Sequence, residues 1–491
     1  MSFGRTLVRH AERAMIRASD ANLVRGNSAR LLIDGTQAFP AWLEAIGRAE
    51  RYIHLENYII RDDRTGRHFR EALAERAAAG VKVSVLYDWV GCWATPQRFW
   101  TPLREAGAEV RAFAPLSARD PLNVLRRDHR KLVTVDGSYA SVAGMCIGDQ
   151  WAGDPGAGVP AWRDTGVEFR GPVAAAMDGA FARTWSEAGD PLPPEEVADP
   201  GQAERQGDVA VRVVEGEPGR SRIYRLSQIV TVGVVRRLWI TDPYFVAPPA
   251  MTEALAAAAR DGVDVRVIVP AYNNWPVVGG FSRAGYRPLL EDGVRLFEWE
   301  GPMIHAKTAV ADGVWSRVGS SNLNLASLLG NWELDAAILD RDFGREMERL
   351  FERDMAASVE VKLRDFSRPR RGPKGANDRR GLERSPVSPE RSGEVLSARR
   401  ARQLAPRGSG AGRLLGRLAR AISVLGRALV GRRVVGREDR SWVAALGAVL
   451  VVLSALGVWQ PRLLGWPLAF LLFWLGVAAL LRAFSGVRRR E

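Results

Sequence analysis

The hydrophobic and polar positions divide the chain into stretches of different character. Through residues 1–366, short apolar runs of strand length, such as GVKVSVLYDWVG (80–91), alternate with Ala-rich segments such as 72–79 that are typical of helices. Residues 367–412 are rich in Pro, Arg, Gly and Ser, which predicts a linker. The pattern therefore predicts an α/β globular part, joined by a linker to a C-terminal segment of a different kind.

The globular part repeats itself weakly. RYIHLENYII (51–60) resembles RRLWITDPYFV (236–246), and GVKVSVLYDWVG (80–91) resembles GVDVRVIVPAYN (262–273). Each copy reads as strand, helix, strand and β-hairpin, which predicts two tandem α/β repeats, each with its own sheet and with a pseudo-two-fold site between them. The acidic, Pro-rich segment 190–201 is the predicted connector. The predicted domains are 1–190, which includes an N-terminal extension, and 202–366.

Two C-terminal runs have the length and polarity of membrane-spanning helices. Residues 441–459 and 463–481 contain 19 residues each without a charge, or about 28 Å as helices. At about 412–433, Arg and Leu fall on opposite helical faces, which predicts an interfacial helix within a basic linker, 367–440. Arg residues flank both ends of the hairpin, so the globular part is predicted to face the cytoplasm. A buried soluble helical hairpin is the alternative.

The net charge of +14 belongs to the tail. Residues 1–366 hold 45 Lys+Arg and 49 Asp+Glu, a net charge of −4, whereas residues 367–491 hold 25 and 7, a net charge of +18. The 20 basic and 6 acidic residues of 367–440 predict binding to an anionic membrane surface, with a solvated linker or an RNA-binding tail as alternatives. A slightly acidic globular part disfavours nucleic acid as the partner of its site.

Lysine and histidine are both scarce. Only five of the 70 Lys+Arg residues are Lys, and the chain has five His. Two His-x-Lys tripeptides, His129 to Lys131 and His305 to Lys307, are not expected by chance in such a composition, so the retained lysines point to function. The two cysteines, Cys92 and Cys146, cannot form a disulfide framework or a four-ligand zinc site, and we expect them to be small buried side chains.

Each His-x-Lys pair is followed at the same spacing by Asp-Gly, at Asp136 and Asp312, which is a strong signal for a β-hairpin. Period-2 geometry predicts that His and Lys share one strand face. With two-residue turns, paired residue numbers add up to about 273 and 625 in the two hairpins. Ser320 is then opposite His305, and Asn322 shares its face. In the first hairpin Gly144 and Cys146 take the corresponding places.

The same geometry separates the two aspartates from their own histidines. Seven residues of strand place each Asp about 20 Å from its His. A turn or folding role for Asp136 and Asp312 is therefore preferred over contact with a substrate. Carboxylates that orient the imidazoles must come from elsewhere, and the candidates are Asp164 in WRDT (162–165) and Glu333 in NWELD (331–335).

These residue types suit phosphoryl transfer. A neutral imidazole is a good nucleophile toward phosphorus, and a second imidazole can protonate a leaving alkoxide and later deprotonate an acceptor. Two ammonium groups and an Asn amide, here Lys131, Lys307 and Asn322, can hold phosphate oxygens and stabilise transition-state charge without a metal. We therefore expect no cofactor.

At these residues the sequence resembles the phospholipase D superfamily, whose signature His-x-Lys-(x)4-Asp occurs twice, at His129-Lys131-Asp136 and His305-Lys307-Asp312. The second copy continues into Gly319-Ser320-Ser321-Asn322, which matches the family pattern Gly-Ser-x-Asn. The phrasing HAKTAVADGVWSRVGSSNLN and the upstream HLENYII are most similar to bacterial cardiolipin synthases. The first copy departs from the pattern, because it has Ala143-Gly144-Met145-Cys146 where the family usually has Gly-Gly-x-Asn. Many cardiolipin synthases also carry their spanning helices at the N-terminus or lack them, whereas this chain places the predicted pair at the C-terminus.

The resemblance implies an exchange through a phosphohistidine at the bacterial plasma membrane, in which one His attacks a phosphatidyl group and the other protonates the departing glycerol. It favours His129 as the nucleophile and His305 as the acid and base. The implied reaction makes cardiolipin from two molecules of phosphatidylglycerol. A phospholipase D that uses water as acceptor is the first alternative. A nuclease and an inactive membrane scaffold are the others, and Cys146 keeps the scaffold open.

Overall fold

The computed structural model describes residues 2–117, 123 and 126–363. The predicted basic linker, interfacial helix and apolar hairpin (367–440, 412–433, 441–459 and 463–481) lie outside the described residues. Among the described residues, no helix combines the length and the apolar character needed to cross a membrane.

The first half of the globular part contains eight strands and six α-helices among the described residues. The strands are β1 Val24–Ile33, β2 Tyr52–Asn57, β3 Lys82–Asp88, β4 Glu109–Phe113, β5 Arg127–Asp128, β6 Lys131–Val135, β7 Tyr139–Ala143 and β8 Thr165–Arg170. The helices are α1 Ser2–Ser19, α2 Asp34–Gly47, α3 Arg64–Ala78, α4 Thr101–Glu105, α5 Asp149–Ala152 and α6 Pro172–Glu187. The Ala-rich stretch predicted to be helical falls in α3.

The second half, as described, contains eight strands and five α-helices. The strands are β9 Val209–Gly216, β10 Arg237–Thr241, β11 Asp264–Pro270, β12 Arg295–Trp299, β13 Thr308–Ala311, β14 Trp315–Gly319, β15 Asn331–Leu339 and β16 Ser358–Val361. The helices are α7 Arg222–Gly233, α8 Pro249–Arg260, α9 Pro276–Ala284, α10 Tyr286–Glu291 and α11 Arg341–Ala356. A short π-helical turn spans Ala326–Gly330.

The two halves share one strand order. In the first half it is β1-β8-β7-β6-β2-β3-β4, and in the second it is β9-β15-β14-β13-β10-β11-β12, with β16 added at the outer edge. The strands β2, β3 and β4 are parallel, as are β10, β11 and β12, and the hairpins pair antiparallel to them. An antiparallel contact between β1 and β9 joins the two sheets, so the repeats form one continuous sheet rather than two separate ones.

Three clusters of apolar side chains pack against this sheet, one on one face and two on the other. One cluster lies on the face covered by α6 and α11 and takes residues from both halves, including Phe181, Trp185, Phe343 and Phe351. On the other face, α2, α3 and α4 cover the first half, and α7, α8 and α10 cover the second. Because the α6/α11 cluster spans both halves, packing fixes the position of one repeat against the other.

The predicted hairpins form, but their register differs by one residue from the expected one. Val135 pairs with Tyr139, and Ala311 pairs with Trp315, so the paired numbers add up to 274 and 626 instead of 273 and 625. Asp136 and Asp312 both have φ of 53°, and the glycines that follow are also in the left-handed region. Each loop holds one further residue, Ser138 or Val314, and that residue shifts the register.

Candidate active site

Both His-x-Lys segments leave their own sheet and run beside the other half. The strands that follow them begin only at Lys131 and Thr308, so neither histidine lies on a regular strand as predicted. The His129 N–H donates to the Trp332 carbonyl at 2.8 Å. The His305 N–H donates to the Arg163 carbonyl at 2.6 Å. Each histidine is therefore positioned by backbone of the opposite repeat.

Each imidazole also contacts a carboxylate of the opposite repeat. Nδ1 of His129 lies 3.0 Å from Oε2 and 3.1 Å from Oε1 of Glu333. Nδ1 of His305 lies 2.8 Å from Oδ2 of Asp164. A carboxylate at Nδ1 keeps the proton there and leaves the Nε2 lone pair free for attack or for proton transfer. The pairing is crosswise, so neither repeat contains a complete histidine site.

The two lysines of the motifs are buried beside the histidines. The Lys131 ammonium donates to the His129 carbonyl, and its Nζ lies 5.1 Å from the centre of the Tyr58 ring. The Lys307 ammonium donates to the His305 carbonyl, and its Nζ lies 2.9 Å from Nδ1 and 3.1 Å from Nε2 of His305. Within the described residues, neither ammonium forms an ion pair with a carboxylate. Two fully buried cations without direct anionic partners favour binding of an anion.

Burial and the lysines keep both imidazoles neutral. Burial, followed by Lys131 and Lys307, lowers the pKa of His129, although Glu333 opposes this. Burial and the adjacent Lys307 ammonium lower the pKa of His305 to about 3, against the opposing effect of Asp164. Since the Lys131 charge also acts on His305, and the Lys307 charge acts on His129, the four groups form one electrostatic unit.

The buried charges near the imidazoles are shifted as well. Burial, together with the Lys131 charge, lowers the pKa of Lys307 to about 8. Burial alone would raise the pKa of Glu333 and Asp164, but the neighbouring His and Lys side chains hold both pKa values below their ordinary range. Both carboxylates are therefore ionised at neutral pH, and each can accept a proton shared with its imidazole.

Comparison with known proteins shows the family of the chain. A family model described as "Cardiolipin synthase, PLD-like domain" matches residues 235–355. Cardiolipin synthase A of Pseudomonas aeruginosa (strain LESB58) is 33% identical over 361 residues, which cover 73% of this chain and 73% of the relative. The chain belongs to the cardiolipin synthase family. As a member of that family it is a phosphatidyltransferase of the phospholipase D type, and the resemblance read from the motifs is confirmed.

Two further comparisons agree. Cardiolipin synthase A of Pseudomonas putida (strain W619) is 34% identical over 363 residues, covering 74% of this chain and 75% of that one. The crystal structure of phosphatidylserine synthase from Haemophilus influenzae Rd KW20 matches with a TM-score of 0.57 at 15% identity, covering 72% of this chain and 92% of that chain. At this identity the second likeness shows the fold alone.

The motif serines and the asparagine of this family member support the site unequally. The Ser320 hydroxyl donates to Oε2 of Glu333 at 2.5 Å, so it helps to hold the carboxylate that contacts His129. The Asn322 amide donates to the Ser327 hydroxyl at 3.3 Å, and its Oδ1 has no partner in the described residues. Neither side chain is placed on a strand face beside His305 as predicted, because β14 ends at Gly319.

The corresponding positions of the first repeat differ. A Cβ at Gly144 would lie 2.3 Å from Oδ1 of Asp164. Only glycine at this position leaves room for the Asp164 carboxylate, which contacts His305. Cys146, the counterpart of Asn322, is fully buried, and burial raises the pKa of its thiol. Lys131 and Lys307 both act on Cys146 electrostatically, which puts it between the two halves of the site.

The motif aspartates accept hydrogen bonds from the backbone. Asp136 accepts hydrogen bonds from the backbone N–H groups of Glu50, Arg51 and Tyr52 at 2.8 to 2.9 Å, just before β2. Asp312 accepts from Val235, Arg236 and Arg237 in the same way, just before β10. The hairpin carries both aspartates to the strand end away from the histidines. These contacts favour the turn and folding role over a catalytic one, and the role of both aspartates stays a prediction.

Aromatic rings that surround the histidines escaped the motif analysis. Tyr58 meets the His129 ring edge-on with centroids 4.8 Å apart, and Tyr244 meets the His305 ring at 5.7 Å. Trp162 lies 5.7 Å from His305. The two tyrosines occupy equivalent places in the weak repeat of 51–60 and 236–246, so that alignment contained the signal.

A buried charged network behind His129 was also missed. The Arg130 guanidinium donates to the Thr184 hydroxyl, to the Ala180 and Glu333 carbonyls and to Glu215. Glu56 and Asp128 lie beside it, and burial raises the pKa of Glu56 to about 7. Burial also raises the pKa of Asp128 well above its ordinary value. No sequence pattern indicated that these residues converge, since they come from β2, β5, α6 and β9.

Proposed function

We propose that this protein condenses two molecules of phosphatidylglycerol into cardiolipin and glycerol through a phosphohistidine. The observation that carries the proposal is the crosswise pairing of His129 with Glu333 and of His305 with Asp164, around two buried ammonium groups. This arrangement gives two imidazoles whose Nδ1 atoms face carboxylates, and a positively charged place for one phosphodiester. The names of the Pseudomonas relatives point to the same product.

In the first step, Nε2 of one histidine attacks the phosphorus of a phosphatidylglycerol, and the bond from phosphorus to the headgroup glycerol oxygen breaks. The second histidine, protonated in the complex, donates its proton to that oxygen, so glycerol leaves neutral. Lys131 and Lys307 stabilise the charge on the non-bridging oxygens. A bound phosphodiester anion raises the proton affinity of imidazoles that are neutral without it.

In the second step, the now neutral acid histidine removes the proton from a headgroup hydroxyl of a second phosphatidylglycerol. The hydroxyl oxygen attacks phosphorus, the phosphorus–nitrogen bond breaks, and the nucleophilic imidazole is regenerated. The acid histidine ends with the proton that it began with, so the cycle is balanced. Water in place of the second lipid would give phosphatidic acid, which is the phospholipase D alternative.

Either histidine is chemically able to attack. The family resemblance assigns attack to His129. Burial and the lysines lower the pKa of both imidazoles, so both are neutral nucleophiles before the substrate binds. Single-turnover reaction with phosphorus-labelled phosphatidylglycerol, followed by alkaline quench and peptide mapping, distinguishes the two. The labelled histidine is the nucleophile.

The membrane context is also part of the proposal. We infer that the basic linker and the two apolar runs beyond residue 363 attach the protein to the bacterial plasma membrane, with the globular part on the cytoplasmic side. The motivation is the charge of +18 in residues 367–491 and the length of the two uncharged runs. Protease added to sealed spheroplasts should leave the globular part intact, and its removal would contradict this topology.

The function is tested by expressing the full chain in a bacterial strain that lacks cardiolipin and measuring its lipids by mass spectrometry. We expect cardiolipin from the unaltered protein and none from His129→Ala or His305→Ala. His68→Ala is the matched control, because that histidine is exposed on α3, and it should retain full production. Phosphatidic acid without cardiolipin would favour the hydrolase. Cardiolipin from either active-site variant would contradict the mechanism.

A further inference from the structure

Four aromatic side chains of the described residues are exposed to solvent. They are Trp93, Tyr272, Trp275 and Phe281. Trp93 is 78% exposed and Trp275 is 63% exposed, whereas the other tryptophans of the described residues are buried or partly buried. Each of the two comes five residues after a parallel strand, β3 or β11. Trp93 therefore follows the parallel strands of the first repeat, and Trp275 follows the parallel strands of the second repeat at the equivalent place.

Trp93 and Trp275, called here the tryptophan pair, are equivalent in the two repeats. Aligning GVKVSVLYDWVGCW (80–93) with GVDVRVIVPAYNNW (262–275) without a gap places one indole on the other. The strand order of the two halves is the same, so the pseudo-symmetry that relates the histidines also relates these side chains. An exposed indole at equivalent places in two otherwise divergent repeats argues against accidental exposure.

The tryptophan pair flanks the active site. In the first repeat, the Ile60 N–H donates to Sγ of Cys92, the residue before Trp93, at 3.2 Å, and Tyr58, two residues before Ile60, contacts the His129 ring. In the second, the Tyr244 hydroxyl, beside His305, donates to Oδ1 of Asn274, the residue before Trp275, at 2.9 Å. Each indole thus extends from a loop that is fixed to the tyrosine next to one histidine.

We propose that the tryptophan pair inserts into the interfacial layer of the phospholipid bilayer that supplies the substrate, one indole from the loop beside each histidine. The inference rests on the proposed function, because a reaction at the phosphate of a bilayer lipid requires the active site to reach headgroup depth. Indoles are the side chains that prefer this layer, since the ring is apolar and its N–H is polar. Two anchors, one from each repeat, fix the orientation of the site against the membrane, which one anchor cannot do.

The C-terminal segments cannot supply this orientation by themselves. If residues 367–411, ahead of the predicted interfacial helix, form a flexible linker, a chain of that length spans roughly 35 to 40 Å and permits either edge of the globular part to face the membrane. The tryptophan pair would select the edge that carries the histidines. Val232 and Val235 are comparably exposed but lie at the other edge, next to the Asp312 turn, and therefore serve as controls.

The first test measures depth in the membrane and needs no turnover. The full chain carrying Trp275→Cys or Val232→Cys is labelled with an environment-sensitive fluorophore and reconstituted into vesicles of phosphatidylcholine and phosphatidylglycerol; the native cysteines are buried. We expect nitroxide-bearing lipids to quench the label at 275, and aqueous iodide to quench it at least threefold less than at 232. Equal quenching of both labels by iodide would overturn the proposal, as would protection at 275 in detergent solution without lipid.

The second test separates docking from catalysis. Trp93→Ser with Trp275→Ser should lower kcat/KM about tenfold or more on vesicle phosphatidylglycerol. On a short-chain phosphatidylglycerol dissolved as monomers, the same variant should stay within about twofold of the unaltered protein. Val232→Ser with Val235→Ser should change neither value. Equal losses on both substrates would mean a structural defect and overturn the proposal. Absence of product from every variant, with the label at 275 still protected, would contradict the proposed function and leave the docking inference standing.

Discussion

The two repeats present a histidine with the same strand order but support it with different chemistry. His129 is flanked by the buried charged residues Asp128 and Arg130, whereas His305 is flanked by Ile304 and Ala306. The first imidazole contacts a Glu that is itself held by Ser320, and the second contacts an Asp for which Gly144 leaves space. The shared fold fixes where the imidazoles lie, and the flanking residues make the two unequal.

Each repeat depends on the other for the contacts of its histidine. The crosswise carboxylates tie the protonation of each histidine to the opposite half, so the site exists only in the assembled pair. The charged network of the first repeat reaches into the second as well, because Arg130 contacts Glu215 on β9 and the Glu333 carbonyl on β15. The second repeat makes no comparable polar contact from Ile304 or Ala306, whose side chains are apolar.

The largest expected effect comes from exchanging the crosswise carboxylates for amides. Asp164→Asn and Glu333→Gln each place an amide N–H at Nδ1, which moves the imidazole proton to Nε2 and removes the lone pair needed for chemistry. We expect kcat to fall by about 10³- to 10⁴-fold in either variant, the size of effect that a wrong tautomer has in hydrolases. Cardiolipin formation from phosphatidylglycerol in mixed micelles measures this.

Glu168→Gln is the control for the carboxylate exchange. Glu168 lies on β8, four residues after Asp164, and pairs with the exposed Arg30 of β1, so the variant should leave kcat within about twofold. If the effect were confined to one carboxylate, the two histidines would not share a common mode of support. The comparison of the repeats would then have to be redrawn around the remaining pair.

The charged network behind His129 should matter for stability. Arg130→Met leaves Glu56, Asp128 and Glu215 without their buried cation, and breaking such an arrangement typically costs about 3 to 5 kcal/mol. Urea denaturation of the full chain in detergent measures it. Arg183→Met is the matched control, because Arg183 binds the same Glu215 from the surface and should cost less than about 1 kcal/mol. Equal losses would show that burial of the network carries no special weight.

Replacing the equivalent carboxyl groups of Glu56 and Asp242 with amides should change the stability of the protein in opposite directions. Glu56 has no backbone donor, and its pKa of about 7 lies above the ordinary 4.5, so between these values only the folded state keeps the proton. The stability of the unaltered protein therefore falls as the pH rises from 4.5 to 7. Glu56→Gln has no such loss. Its free energy of unfolding should exceed that of the unaltered protein by up to about 3 kcal/mol at pH 8, and the two should be equal near pH 4.5.

Asp242→Asn should not gain stability at pH 8, although burial raises the pKa of Asp242 to about 6. Its two oxygens accept from the Tyr244 and Leu323 N–H groups at 2.9 and 2.7 Å, and an amide would turn a donor toward one of them. We expect a loss of about 1 to 2 kcal/mol. Denaturation curves at pH 5 and pH 8 measure both variants, and a gain for Asp242→Asn would contradict the assigned contacts.

Sequence alone predicted the features that depend on local pattern. The doubled His-x-Lys and Asp-Gly signals predicted two hairpins, and the strand length placed Asp136 and Asp312 away from the histidines. The same reasoning pointed to Asp164 and Glu333, since a carboxylate had to come from another segment. The hairpin register was wrong by one residue, because it depends on the extra loop residue after each Asp-Gly and not on the turn signal itself.

Features that depend on assembly were not predictable in this way. Each histidine pairs its backbone with the other repeat, which the packed α6/α11 cluster and the contact between β1 and β9 bring close. The network of Glu56, Asp128, Arg130 and Glu215 joins three strands, β2, β5 and β9, and the segment between β5 and β6, which no periodicity connects. Tyr58 and Tyr244 form an intermediate case, because their equivalence was visible in the repeat although their contact with the histidines was not.

The smallest expected effect tests the departure of the first repeat from the family pattern. Cys146 and Asn322 are equivalent, but a thiol whose pKa is raised by burial offers no strong donor to phosphate. Cys146→Ala should therefore keep kcat within about twofold, whereas Asn322→Ala should lower it about tenfold, since it removes an amide from the site. Cys92→Ala, which removes the other buried thiol, is the control. A larger loss of kcat for Cys146→Ala than for Asn322→Ala would mean that the first repeat uses its thiol in the reaction. The first repeat would then contribute more at this position than the second.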